Sequence, residues 1–152
     1  MKVSTKGRYA LRIMTDLAQQ NPEQYISLRS IADRQQISMK YLEAIMASLH
    51  AAGFVLSLRG KNGGYKLARS TGEYTVGSIL KLTEGSLAPV TCLEYKTNTC
   101  NRSDSCVTLP MWRKLNRLID EFLEGITIED LIVQSMASNP RNKATAAGRE
   151  RL

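Results

Sequence analysis

The three cysteines of this 152-residue chain, Cys92, Cys100 and Cys106, fall in one polar stretch. From Thr91 to Val107 that stretch is rich in Asn, Ser, Thr and Asp and poor in aliphatic residues. Structural cysteines hide in cores as small hydrophobes. Three gathered in a polar loop point to chemistry, and loops are where function concentrates. Seven residues separate the first pair and five the second, too wide for a CxxC zinc knuckle. Such gaps suit a flexible loop wrapped around a larger object, and soft thiolates suit an iron-sulfur cluster. Three thiolates leave one iron position short. The single histidine, His50, lies late in a helical segment, where a surface or phosphate-facing role is expected rather than ligation. Buried structural cysteines, a zinc site and a thiol redox switch are the competing readings. In the last, Lys96 and Arg102 could depress a thiol pKa. The odd count argues against a purely intramolecular disulfide framework.

The elements that must position this loop follow from periodicity. Tyr9, Ala10, Ile13, Met14, Leu17 and Ala18 mark an amphipathic helix over about residues 4–20, ended by Asn21-Pro22. Ser27 can cap a second helix carrying Leu28, Ile31 and Ala32. Gln35-Gln36-Ile37 is a short connection. Ser38 can cap a third helix with Leu42, Ile45, Met46 and Leu49 inward, stopped by Gly53. Phe54–Leu58 reads as a strand, 59–64 as a basic, glycine-rich turn, and Tyr65–Arg69 as the returning strand. Helix, helix, tight turn, helix and hairpin make a winged helix-turn-helix. Thr75 can cap a fourth helix bearing Val76, Ile79, Leu80 and Leu82. After the cysteine loop, Pro110 opens a long helix, Gly125 breaks it, and Thr127 starts a last short helix with Leu131 and Ile132 inward. The sequence contains no internal repeat.

The fold class expected is mainly α: a winged helix-turn-helix with a two-stranded β wing and a long C-terminal dimerisation helix. Residues 1–70 form the DNA-binding domain, 71–90 a connecting helix and 91–108 the cysteine sensor loop. Residues 109–137 hold the dimerisation helix and the last short helix, and 138–152 a disordered basic tail.

Charge agrees with this division. Residues 1–70 carry 11 Lys and Arg against 4 Asp and Glu, whereas 71–138 carry 6 against 9. A basic front half suits a polyanion. In a helix-turn-helix the second helix enters the major groove. Ser38 and Tyr41 there suit phosphates, Lys40 a guanine or a phosphate, and Glu43 a cytosine amine. Arg59 and Lys61 at the wing tip suit a narrow minor groove, and Gly60, Gly63 and Gly64 permit the turn and a close backbone approach. The competing reading is a winged-helix interaction module that docks on a metabolic enzyme. The long helix carries Trp112, Leu115, Leu118, Ile119 and Phe122 as an apolar stripe, and paired half-sites favour a two-fold protein. A homodimer on a palindromic operator is therefore expected. The chain lacks a membrane-length apolar run and a signal-peptide stretch at its start, so a cytoplasmic protein without a membrane partner is expected. A lone histidine, with no nucleophile-base pair, argues against an enzyme.

Four motifs in order carry a family resemblance. They are Ser4-Thr5-Lys6-Gly7-Arg8-Tyr9-Ala10, Ser38-x-x-Tyr41-Leu42-Glu43, Arg59-Gly60-x-x-Gly63-Gly64-Tyr65, and Trp112 with Leu115. Over about residues 1–135 the chain resembles the IscR/NsrR/CymR family of winged-helix regulators. The resemblance implies a homodimeric bacterial transcription factor, with repression the expected mode. It implies a cluster on Cys92, Cys100 and Cys106 that reports iron-sulfur, redox or nitrosative status, 2Fe-2S ahead of 4Fe-4S. The fourth ligand is unknown. Leu109 stands where 2Fe-2S members place a histidine, and Arg8 where nitric-oxide sensors draw an aspartate from the partner. Glu94, Asp104, a partner residue or an exogenous thiol remain as candidates. Ser86-Leu87-Ala88-Pro89-Val90 is similar to the cysteine-metabolism repressors, which lack this triad, so a regulator without a cluster is the alternative. Ala44 replaces a frequent glutamine, which implies a different operator.

Overall fold

The structure, a computed structural model, describes residues 1–139. Three helices come first: α1 (Thr5–Ala18), α2 (Leu28–Gln35) and α3 (Met39–Ala51). A hairpin of β1 (Val55–Leu58) and β2 (Gly64–Leu67) follows. Then come α4 (Val76–Glu84), α5 (Leu109–Glu124) and α6 (Ile128–Ser138). This is the mainly helical winged architecture that the periodicity implied.

Hydroxyl caps set the helix starts. Ser4, Ser27, Ser38, Thr75 and Thr127 each accept from a backbone N–H three residues on, which satisfies a donor the helix cannot pair itself. Thr127 and Asp130 do so reciprocally. Between α2 and α3, Gln36 takes the left-handed conformation, φ 54°, and its side-chain amide donates to the Asp33 carbonyl at 2.7 Å. That bend turns α3 across α2 and buries Ile37.

The core gathers Ala10, Ile13, Met14 and Leu17 of α1 with Ile31, Leu42, Ile45, Met46, Leu49, Val55 and Ile79. Two members were not anticipated. Tyr74 is fully buried, its hydroxyl donating to the Phe54 carbonyl at 2.7 Å and accepting from Arg69 N–H at 2.8 Å. Ile128 is also fully buried, so α6 is anchored in the head by its first residue. Leu131 and Ile132 are half-buried against the same core.

The wing pairs Val55 with Leu67 and Leu58 with Gly64. A further bridge joins Ile26 to Tyr65, with both N–H···O distances 2.8 Å, and seats the hairpin on the chain entering α2. Gly64 is required there: a Cβ would lie 2.2 Å from the Ile26 carbonyl oxygen.

Helix α5 begins one residue before Pro110, with Leu109 buried. The expected apolar stripe divides. Ile119, with Leu123, packs on Val76, Leu80 and Leu87 of the same chain, and Trp112 is half-buried. Met111, Leu115, Leu118 and Phe122 are exposed. Lys81 of α4 ties α5 down through Asp120 at 2.5 Å and Glu124 at 2.7 Å. Helix α6 runs through Ser138, one residue into the segment expected to be tail; the remainder of that expectation, 140–152, lies outside the described residues. Among the described residues no helix is long and apolar enough to cross a membrane.

Candidate nucleic-acid interface and thiol site

The outward face of α3 follows from its period. With Leu42, Ile45, Met46 and Leu49 in the core, Lys40, Glu43, Ala44 and Ala47 form one exposed stripe. Ser38 is exposed, and its oxygen caps the helix from Tyr41 N–H at 3.4 Å. Its hydroxyl proton is still available to a phosphate. Tyr41 is less free than its sequence position suggested. It is half-buried, its ring edge-on to Tyr9 with centroids 5.6 Å apart. Ala47 was not singled out, and Ala44 was noted for standing in place of a frequent glutamine; both are exposed on this stripe, where small side chains leave the helix backbone accessible.

Arg59 and Lys61 are exposed at the turn of the hairpin. Lys40, Glu43, Arg59 and Lys61 take part in none of the ion pairs among the described residues. Gly63 could not carry a side chain, because a Cβ would meet the Leu58 carbonyl oxygen at 2.1 Å. The recognition stripe and wing tip thus present unpaired charge from a rigid frame. His50 is exposed at the end of α3, 3.2 Å from the Ser57 hydroxyl and edge-on to Tyr65.

That frame includes a buried carboxylate the sequence reading passed over. Asp16 is 3% exposed. Arg34 grips it in a two-pronged contact, Nε to Oδ1 at 2.9 Å and Nη2 to Oδ2 at 2.7 Å. Gln35 adds a hydrogen bond at 2.9 Å, and Arg12 in turn holds the Gln35 side chain and carbonyl. The contact with Asp16 raises the Arg34 pKa further. The cluster fixes α2 on α1 just before the Gln36 bend. The signal available in the sequence was an acid between Met14 and Leu17 on the inward side of α1.

The cysteine loop joins α4 to α5. Cys92, in a one-turn helix over Thr91–Leu93, and Cys106 are half-buried; Cys100 is exposed; all three are free thiols. Cys100 N–H donates to Asn98 Oδ1 at 2.9 Å. Cys106 Sγ lies 3.4 Å from the Thr108 hydroxyl. That hydroxyl is the first cause of a lowered Cys106 pKa, followed by the Thr108 backbone N–H; Arg102 contributes least. Hydrogen bonding, rather than the Lys96 and Arg102 charges suggested by sequence, is thus the main activator.

Three soft thiols, one of them with a hydroxyl beside its sulfur, suit an iron-sulfur cluster in donor chemistry. Among the described residues no three Cys, His, Asp or Glu side chains converge as a metal site, so the loop must draw closed to hold one. The Leu109 side chain is buried at the start of α5 and offers no ligand atom, while its backbone N–H adds to the lowering of the Cys106 pKa. Arg8 is exposed and donates to Thr5 Oγ1 at 3.1 Å. Glu94 and Asp104 are exposed on the loop.

Comparison with known proteins bears on this arrangement. The sequence pattern of the Rrf2 family, described as an iron-dependent transcriptional regulator, matches residues 3–134. The HTH-type transcriptional regulator IscR of Pectobacterium carotovorum is 36% identical over 132 residues, covering 87% of this chain and 79% of the relative. The solved structure of IscR from T. potens is 38% identical with a TM-score of 0.70, covering 91% of this chain and 92% of that one. That of CymR, the global cysteine regulator of B. subtilis, is 36% identical with a TM-score of 0.70, covering 86% and 95%.

Proposed function

Because the chain belongs to the Rrf2 family of transcriptional regulators, we propose that it is a homodimeric repressor whose DNA affinity is set by an iron-sulfur cluster on Cys92, Cys100 and Cys106. The observation that carries this reading is the position of three free thiols in the segment joining α4, packed on the DNA-binding head, to α5, whose outer face is apolar. The relatives named IscR support the cluster reading in general terms.

In this reading α3 lies in the major groove. Lys40 meets a guanine or a phosphate, Glu43 accepts from a cytosine amine, and Ser38 and Tyr41 hold the backbone. Arg59 and Lys61 reach into the minor groove on a wing whose Gly63 and Gly64 allow close approach. Two copies pair through Met111, Leu115, Leu118 and Phe122, with Trp112 and Ile119 at the border, and so address two half-sites. When bound, a cluster supplies a reversible one-electron couple and a lability toward oxidants. The loop thiolates hold it, and Thr108 orients Cys106. Closing the loop shifts its two anchors, α4 and α5, and a ligand that favours one arrangement biases the pair of recognition helices.

The test is operator binding by anaerobically reconstituted and cluster-free protein, with iron, sulfide and visible absorption measured on the same samples. Iron and sulfide in the sample, with a difference in operator affinity between the two forms, is the expected result. Colourless, iron-free protein after reconstitution would sink the cluster. That outcome favours a second reading, a thiol switch, which the lowered Cys106 pKa supports.

A further inference from the structure

We propose that Asn98 donates a hydrogen bond to sulfur in the closed cysteine loop and so tunes the reduction potential of the cluster without ligating it; this rests on the cluster reading above. Among the described residues, Asn98 Nδ2 is the one buried side-chain polar atom with no hydrogen-bond partner. Buried polar groups in folded proteins are nearly always paired, because an unpaired donor forfeits its hydration. An orphan inside a loop of three thiols therefore asks what acceptor it is kept for.

The other end of the same amide narrows the answer. Asn98 Oδ1 accepts the Cys100 N–H at 2.9 Å, a turn that closes over two residues. Such a local turn travels with Cys100 wherever the loop moves. The amide carries two N–H donors and both are unspent. The acceptor that comes to Cys100 when the loop closes is sulfur, either its own thiolate or a cluster sulfide. The competing acceptors on the loop, the Glu94 and Asp104 carboxylates, are exposed and hydrated. A donor aimed at sulfur favours the reduced, more negative state, so it raises the potential.

The experiment compares the full-length chain with N98S and N98A, each reconstituted anaerobically with ferrous iron and sulfide. Serine keeps an oxygen for the Cys100 N–H and removes the amide donor; alanine removes both. Iron and sulfide content, visible absorption and a mediated redox titration are read for all three. The expected result is full loading throughout, with potentials in both variants more negative than in the unmodified chain. Equal potentials in N98S and the unmodified chain overturn the inference while leaving the cluster intact. Loss of loading in N98S alone overturns it too, by making Asn98 a determinant of assembly. An unmodified chain that takes up no iron overturns the cluster reading itself.

Discussion

Asp16 shows how a single side chain sets the DNA-binding frame. Its carboxylate is nearly inaccessible, whereas the Arg34 side chain that grips it is 37% exposed. The two halves of the pair are therefore not equivalent. Removing Asp16 leaves a guanidinium that can turn to water, and D16A is expected to cost about 2 kcal/mol. Removing Arg34 strands a buried charge with Gln35 as its remaining donor, and R34A is expected to cost about 3 kcal/mol or more. Urea midpoints at unchanged m would read both, and D16A proving the more damaging would refute the argument. The pair was invisible to periodicity because a helix pattern assigns faces and not partners; Arg34 reaches Asp16 across eighteen positions. At the wing tip, exposed Arg59 makes a contrasting case. R59A should leave stability within about 0.5 kcal/mol of the parent and reduce the salt slope of operator binding by about 1. An unchanged slope in a salt titration would remove Arg59 from the DNA contacts.

At the scale of elements, the parts legible in the sequence are those fixed by neighbours in the chain. Four of the five capping hydroxyls, Ser27, Ser38, Thr75 and Thr127, sit where Ser and Thr precede an apolar period, and the hairpin turn is written in glycines. What escaped depends on distant partners: the Ile26–Tyr65 bridge, the burial of Tyr74, and Ile128 closing the core. The cysteine loop was legible as a cluster of thiols, but its open arrangement was not, since spacing along the chain does not gather side chains in space. The tether between α4 and α5 is likewise nonlocal. Lys81 bonds both Asp120 and Glu124, and Thr75 donates to Glu124 at 2.6 Å. The contacts with Lys81 and then Thr75 hold the Glu124 carboxyl below its ordinary pKa. Because the folded value lies below the unfolded one, about 4.3, the tether stabilises above that pH and is lost as pH falls through the folded value. Glu124 is 37% exposed at its side chain, so solvent screening limits the contribution to about 0.5 kcal/mol. E124Q should therefore flatten the acid limb of a stability curve below about pH 4.3 and leave the limb near neutrality parallel to the parent. A parallel acid limb would contradict the assignment.

At the scale of the whole molecule, the outer face of α5 is the largest feature that one chain leaves unexplained. Met111, Leu115, Leu118 and Phe122 recur at helical spacing and are 51%, 37%, 54% and 66% exposed. Val133 and Met136 of α6 are exposed as well. A contiguous apolar face of this kind marks an interaction site on a soluble protein. In the dimer proposed above, a second copy would cover it with the same residues on both sides, as a two-fold interface requires. Lys81, and Ile119 and Leu123 on the inner side, hold α5 to the head, and in the proposed dimer that hold would set the distance between two recognition helices. The double variant L118E/F122E changes only exposed side chains, so the fold should survive while the shared face acquires four like charges per pair. The expected outcome is a monomer by analytical ultracentrifugation, with circular dichroism unchanged. Binding to a palindromic operator should then fall to that of an isolated half-site, because the second contact no longer arrives at the high effective concentration that linkage supplies; the loss expected is on the order of 100-fold. Binding to a single half-site should be nearly untouched. A variant that remains dimeric would place the interface elsewhere, and a monomer that still binds the full palindrome tightly would show that the two heads do not act as a pair.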